Sequence, residues 1–407
     1  MPKATIDSIE VSGNRVLMRV DFNVPLDNST ITDDRRIRMA LPSIRSVLDR
    51  NGRLILMSHL GRPTGSGYQE ELSLEACATR LNELLGDSCR GSVIFPSHDC
   101  IDADAVAAVE RLADGECLLL ENLRFHTDEK KGDPEFAAKL AGFGDIYCNN
   151  AFGTCHREDA SMVAVPEAMR GKPRVAGSLV EKEIRFLSDT LGAPESPFVV
   201  VIGGAKVSDK LPAIENLARK ADHILVGGAM AYTFLKAQGT NVGTSRVEES
   251  MLDAAKHAIA FASEHDCEIH LPVDHVCSTT FDEKTGDNKT FTGDIDDEYM
   301  GLDIGPDTRD AFVSILHDAK TIVWNGPMGV FEWGLFAVGT KQVADAIAQA
   351  TDAGAISIVG GGDSAAAAAQ FGVADRLTHV STGGGASLDM LSGHAFHSVE
   401  LLDDLPV

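Results

Sequence analysis

The sequence predicts an α/β protein of two domains, each a parallel β-sheet flanked by helices. Two observations carry that prediction. Short, nearly continuous apolar runs alternate with longer amphipathic ones along the chain, which is the pattern of strands buried on both faces and joined by crossover helices. The chain has 407 residues, 44% hydrophobic and 24% charged, enough for two or three globular domains of ~100–200 residues each.

Residues 15–20 read as the first strand. Residues 36–50 follow as a helix, because Ile37, Leu41, Ile44, Val47 and Leu48 recur at helical spacing. Asn51-Gly52 punctuates, and 54–57 is the next strand. The cadence repeats at 117–120 and 146–148. Residues 171–177 are loop-like, and 178–191 form a helix bridging the two halves, closed by a turn at Ala193-Pro194. Strands recur at 198–202, 223–226, 321–324 and 356–359. Residues 282–298 are polar and turn-rich, a solvated surface excursion. Asp363-Ser364 reads as the cap of an alanine-rich helix. Both halves are therefore Rossmann-like in their layering.

Lys and Arg total 36 against 61 Asp and Glu, a formal charge of −25. Such a field repels nucleic acid and anionic membranes, so neither is an expected partner. Eight cysteines form no C-x-x-C pair, which excludes zinc-ribbon and thioredoxin-like motifs and reads as free thiols in a reducing compartment. No basic start precedes an apolar run, and the apolar stretches are too short to span a bilayer. A cytoplasmic protein is expected.

In open parallel sheets, ligands bind beyond the carboxyl ends of the strands. In the first half those positions hold Asp21, Phe22 and Asn23, then His59, Leu60, Gly61 and Arg62, then Arg124, then His156 and Arg157. Arg36 opens the first helix. Convergent arginines in so acidic a chain point to an anionic ligand, because the guanidinium fork binds phosphate and carboxylate bidentately. In the second half the same positions are glycine-rich: Gly203-Gly204-Ala205-Lys206, Gly227-Gly228, Asn325-Gly326-Pro327, Gly360-Gly361-Gly362-Asp363 and Gly383-Gly384-Gly385. Glycine lets backbone amides approach a phosphate. No P-loop motif is present, and no G-x-G-x-x-G follows the first strand of either half. An anion site together with a nucleotide site suits a kinase for a small acidic metabolite. An ionised oxygen nucleophile needs positioning and charge compensation rather than a general base. A nucleotide-dependent dehydrogenase and a non-catalytic nucleotide-binding protein are the rival readings.

Several segments carry a more specific signal. They are Arg19-Val20-Asp21-Phe22-Asn23-Val24-Pro25, Ser58-His59-Leu60-Gly61-Arg62-Pro63, Leu120-Glu121-Asn122-Leu123-Arg124-Phe125 and Gly203-Gly204-Ala205-Lys206-Val207-Ser208-Asp209-Lys210. Trp324-Asn325-Gly326-Pro327-Met328-Gly329-Val330-Phe331-Glu332 and the segments 360–364 and 381–388 complete the set. In this order they resemble the phosphoglycerate kinase family. The resemblance implies reversible phosphoryl transfer between 1,3-bisphosphoglycerate and ADP, giving 3-phosphoglycerate and ATP with Mg²⁺, by a monomer of glycolysis and gluconeogenesis. It implies that residues 1–177 hold 3-phosphoglycerate through Asp21, Phe22, Asn23, Arg36, His59, Leu60, Gly61, Arg62, Arg124 and Arg157. Residues 178–191 would be the interdomain helix. Residues 192–392 would hold the nucleotide through Lys206, Lys210, Gly227, Gly228, Asn325, Glu332, Gly360, Gly361, Gly362, Asp363 and Ser364, with Asp363 on the metal. Arg36, Lys206, Gly384 and Gly385 would stabilise the transferring phosphoryl group. The domains would close around the substrates, and 393–407 would pack back on the first domain.

Asn150, Ala229, Ser364 and the tail Ala395-Phe396-His397 depart from the family pattern but leave the charge-bearing residues intact. Intact Arg36, Lys206 and Asp363 argue against a protein that only binds. The acid excess, with 21 Arg against 15 Lys, marks an acidic, halophilic, archaeal-type member, since salt screens the self-repulsion that such a charge creates.

Overall fold

The computed structural model describes residues 2–381 and 383–405. Thr382, within the 381–388 motif, lies outside the described residues, as do Met1 and the tail residues Pro406 and Val407. The chain divides into two compact units, Met1–Arg185 with Ala395–Val407, and Phe186–His394.

The first unit is built on a five-stranded parallel sheet in the order Cys117–Leu119, Arg53–Met57, Arg15–Val20, Ile146–Asn150, Arg174–Ala176. In chain order this is 3-2-1-4-5. The winding therefore reverses between Arg15–Val20 and Ile146–Asn150, and a crevice opens beyond their carboxyl ends. The helix Arg35–Leu48 buries Ile37, Ala40, Leu41, Ile44, Val47 and Leu48, a stripe at i, i+3, i+4 and i+7. That stripe packs with Val16, Met18, Leu54 and Leu56 of the sheet. The end of the chain is sewn into this unit. Ala4 N donates to Asp403 O at 2.8 Å, Arg174 pairs with Asp403 at 2.7 Å, and Ser398 Oγ donates to Cys155 O at 2.7 Å.

The second unit carries a six-stranded parallel sheet in the order Glu268–His270, His223–Val226, Phe198–Ile202, Thr321–Asn325, Ile356–Val359, His379–Val380. Here the chain order is 3-2-1-4-5-6, the doubly wound arrangement with its reversal between Phe198–Ile202 and Thr321–Asn325. Every residue of those two central strands is buried. A separate antiparallel sheet pairs Asp274–Ser278 with Asn288–Thr292 and Met300–Ile304. All eight cysteines are free and buried. Among the described residues, no helix is long and apolar enough to cross a membrane.

Four local expectations are corrected. Residues 171–177 are not wholly loop, because Arg174–Ala176 adds an edge strand to Ile146–Asn150. Only three residues pair there, too few to show a period. Residues 282–298 are solvated but not without structure. Asn288–Thr292 is a strand that buries Phe291 alone, so it lacks the alternation that betrays a half-buried strand. The 178–191 helix is α-helical over Ser178–Ile184, continues as a π-helix over Arg185–Thr190 and is α-helical again at 191–192. Asp363 and Ser364 do not cap their helix. Gly362–Gln370 begins before them, and Gly361, at φ +91°, occupies the cap position.

Candidate active site

At the carboxyl ends of the first unit's strands, Asn23, Gly61, Arg62, Arg124, Lys130 and Arg157 line a cavity of about 330 Å³. Four of the six are cations and none is an acid. Asn122 builds this edge. Its Oδ1 accepts from Leu60 N at 3.2 Å and Arg124 N at 3.1 Å, and its Nδ2 donates to Leu60 O at 2.8 Å and Leu72 O at 2.9 Å. The loop carrying His59 to Arg62 is thus tied to the loop carrying Arg124. Gly61 N donates to Asn23 Oδ1 at 2.8 Å, which fixes the asparagine. Phe22 is buried, and its N–H donates to Ser58 Oγ at 2.9 Å.

Arg124 is almost wholly buried. Its Nη2 donates to Asp159 Oδ2 at 3.1 Å, its Nη1 to Gly61 O at 3.3 Å, and its buried Nε has no protein partner. Burial lowers its pKa, with Asp159 acting against that. A desolvated guanidinium among other cations is costly; Asp159 offsets part of that cost, and the unpartnered Nε leaves a donor for a further acceptor. Arg36 is ion-paired to Asp21, which holds it at the edge of the same loops.

A buried network backs the cavity. Arg19 Nε donates to Ser161 Oγ at 2.9 Å, Ser161 Oγ donates to Glu129 Oε1 at 2.6 Å, and Arg19 Nη2 lies 3.1 Å from His59 Nδ1. Arginine can only donate, so His59 Nδ1 accepts and the ring proton sits on Nε2. Burial, then the charges of Arg19, Arg124, Arg157 and Arg36, holds the His59 pKa well below the ordinary imidazole value. His59 is therefore a neutral donor.

In the second unit, two cavities meet at Asp363. The smaller, about 190 Å³, is lined by Lys210, Asn325, Gly326, Gly361, Gly362, Asp363, Ser364, Gly384, Gly385 and Leu388. The larger, about 630 Å³, includes Gly204, Gly228, Thr244, Arg246, Phe281, Leu302, Glu332 and Trp333. Lys210 Nζ donates to Asn325 Oδ1, while the buried Asn325 Nδ2 has no protein partner. Burial lowers the Lys210 pKa, with Asp363 and Asp209 acting against it.

The glycines divide into two kinds. A Cβ on Gly203 would lie 2.0 Å from Pro327 O, so backbone packing requires that glycine. Around Gly362 and Gly385 the space is open, which leaves room for a phosphate. Asp363 is the one carboxylate lining the smaller cavity. A single carboxylate beside open glycine turns fits Mg²⁺, which keeps much of its shell as water and phosphate oxygens.

The structure therefore brings Asn23, Gly61, Arg62, Arg124 and Arg157 around one cavity, with His59, Asp21 and Arg36 beside it. It brings Lys210, Asn325, Asp363, Ser364, Gly361, Gly362, Gly384 and Gly385 around another, and Gly228 and Glu332 around the third. Lys206 is exposed at the N-cap of the helix Val207–Ala218 and lines neither cavity of its unit, nor do Gly227 and Gly360. Sequence reasoning missed Lys130, Arg246, Phe281 and the Arg19–Ser161–Glu129 network. Lys130 had a signal, as a lysine close behind the Arg124 motif, and so did Arg19, the first residue of the Arg19–Pro25 motif.

A basic cavity in one doubly wound unit and a glycine-lined cavity in another define a kinase for a small anionic metabolite. The phosphoglycerate kinase family model matches residues 6–394. The chain is 57% identical over 407 residues to phosphoglycerate kinase of Rhodopirellula baltica, covering 99% of this chain and 100% of the relative. It is 50% identical over 408 residues to the enzyme of Chlorobium phaeobacteroides, with 99% and 100% covered. Phosphoglycerate kinase from Coxiella burnetii superposes with a TM-score of 0.89 at 36% identity, and that from Pyrococcus horikoshii with 0.81 at 34%, each covering 98% of both chains. The chain belongs to the phosphoglycerate kinase family.

Proposed function

We propose that the chain transfers a phosphoryl group reversibly between 1,3-bisphosphoglycerate and ADP, giving 3-phosphoglycerate and ATP. The observation that carries this is the buried Arg124, with its unpartnered Nε, in a cavity lined by four cations and no acid. Arg62, Arg124, Arg157 and Lys130 hold the substrate phosphate, and Asn23 and His59 donate to it as neutral groups. In the direction of ATP consumption, a substrate carboxylate oxygen attacks the γ-phosphorus as the bond to the ADP oxygen breaks. The carboxylate is already ionised, so no general base is required. Arg36, held by Asp21, and Lys206 offset charge on the transferring group, with backbone at Gly384 and Gly385. Lys210, Asn325, Gly361, Gly362 and Ser364 receive the nucleotide phosphates, while Glu332 and the larger cavity receive the nucleoside. Asp363 would hold Mg²⁺, whose charge neutralises the phosphate oxygens.

The protein works as a cytoplasmic monomer adapted to high salt in this reading, the salt adaptation resting on the −25 charge. The deciding assay is ATP consumption with and without 3-phosphoglycerate and Mg²⁺. Turnover should need both. ATP consumption unaffected by 3-phosphoglycerate would overturn the reading.

A further inference from the structure

Away from these cavities, one cluster has ligand chemistry that the proposed reaction leaves unused. His223 opens the strand His223–Val226, and Glu268 and His270 lie two apart on the edge strand Glu268–His270. The strands are parallel, with Glu268 opposite His223 and His270 opposite Leu225. Residues two apart on a strand share a face, so all three side chains emerge on one side of the sheet. His223 Nδ1 lies 3.1 Å from His270 Nε2 and 3.9 Å from Glu268 Oε2. His270 Nε2 lies 3.6 Å from the same oxygen. A tetrahedral ion with bonds of ~2.0–2.1 Å sets its ligands about 3.3 Å apart. The three separations bracket that spacing, and the Glu268 side chain, 70% exposed, can shorten the two longer ones.

We propose that His223, Glu268 and His270 form a site for a divalent transition-metal ion of the zinc type, with water completing the shell. Two imidazoles and a carboxylate are the donors such an ion prefers over Mg²⁺ or Ca²⁺. The site is structural. His223 begins its strand, whereas the turn Gly227-Gly228 follows that strand's carboxyl end, four residues and about 13 Å further along at ~3.3 Å per residue. A bound ion would pin the edge strand to its neighbour.

The test uses untagged, nucleotide-free full chain stripped with chelator, then titrated with Zn²⁺ by calorimetry and with Co²⁺ by absorption. The wild type should bind one equivalent through this cluster, show the d–d band of tetrahedral Co²⁺, and melt at a higher temperature when loaded. His270→Gln should lose that equivalent and the band while keeping kinase activity. Asp99, Cys100 and His126 are the other grouping of such donors among the described residues, so His126→Gln serves as the control and should keep the band. Should His270→Gln fail to fold, the exposed Glu268→Gln carries the same comparison. Equal binding by wild type and either cluster variant would overturn the proposal. So would a wild type without the band, which leaves only a hydrogen bond between the two histidines.

Discussion

Arg124 is under electrostatic strain, since burial and the neighbouring cations Arg157 and Arg19 oppose its charge, with Asp159 acting against both. An anion relieves that strain in the bound ground state and the transition state alike. Arg124→Ala should therefore mainly raise the KM for 3-phosphoglycerate, as loss of uniform binding does. Lys130→Ala should do the same more weakly, because Lys130 is exposed. Unchanged KM in both would remove them from the site. In the proposed reaction Arg36 offsets charge on the transferring group, so Arg36→Ala should lower kcat by roughly 10³-fold. A kcat near that of wild type would refute its role. Asp303 adds a pH dependence of its own. Burial pushes Asp303 up to about 7, against hydrogen bonds from Gly339 and Ile304 and the charge of Arg309. The unfolded carboxyl titrates near 3.8. Between those values the folded state binds the extra proton at Asp303, so the contribution of this group to stability falls as pH rises through that window and levels off above it. Asp303→Asn removes this slope. Its melting temperature should gain on wild type from about pH 4 to 7, and parallel pH curves would refute the assignment.

At the scale of elements, the glycine turns separate packing from binding. Gly203 has no room for a Cβ against Pro327 O, whereas Gly385 has open space. Gly203→Ala should cost about 1–3 kcal/mol of stability, the ordinary range for overpacking. Gly385→Ala should leave stability nearly unchanged and raise the KM for the nucleotide. Denaturant unfolding and steady-state kinetics on the pair would settle it, and the reverse pattern would show the turns to be misassigned. Sequence alone could not make this division. All of these glycines follow strands, and the difference lies in which loop from elsewhere in the chain comes to rest against each.

For the whole molecule, a charge of −25 repels itself across the surface. Salt shortens the screening length from roughly 10 Å at 0.1 M to roughly 3 Å at 1 M. The melting temperature should therefore rise with KCl over that range, while the KM for 3-phosphoglycerate rises too, because the arginine cavity is screened as well. A flat or falling melting curve would refute salt adaptation without touching the kinase reading. The proposed substrate and nucleotide sites belong to separate units, so transfer requires the units to bring their ligands together. Small-angle scattering should show the most compact molecule with both ligands bound, and identical dimensions in every ligand state would count against closure.

The sequence by itself determined the α/β class, most strands of the two sheets, and the charge-bearing residues at their carboxyl ends. Apolar periodicity and residue type are local properties that survive without coordinates. Only the tertiary structure decided which of those residues share a cavity. Lys130 arrives from the short helix Thr127–Lys131, and Arg246 and Phe281 come from segments far from the glycine turns they meet. It alone showed Lys206 outside the cavity linings, His59 neutral, and the short strands Arg174–Ala176 and Asn288–Thr292. Each of these depends on neighbours distant in sequence, through burial, backbone pairing or the field of other charges, and no local pattern encodes such neighbours.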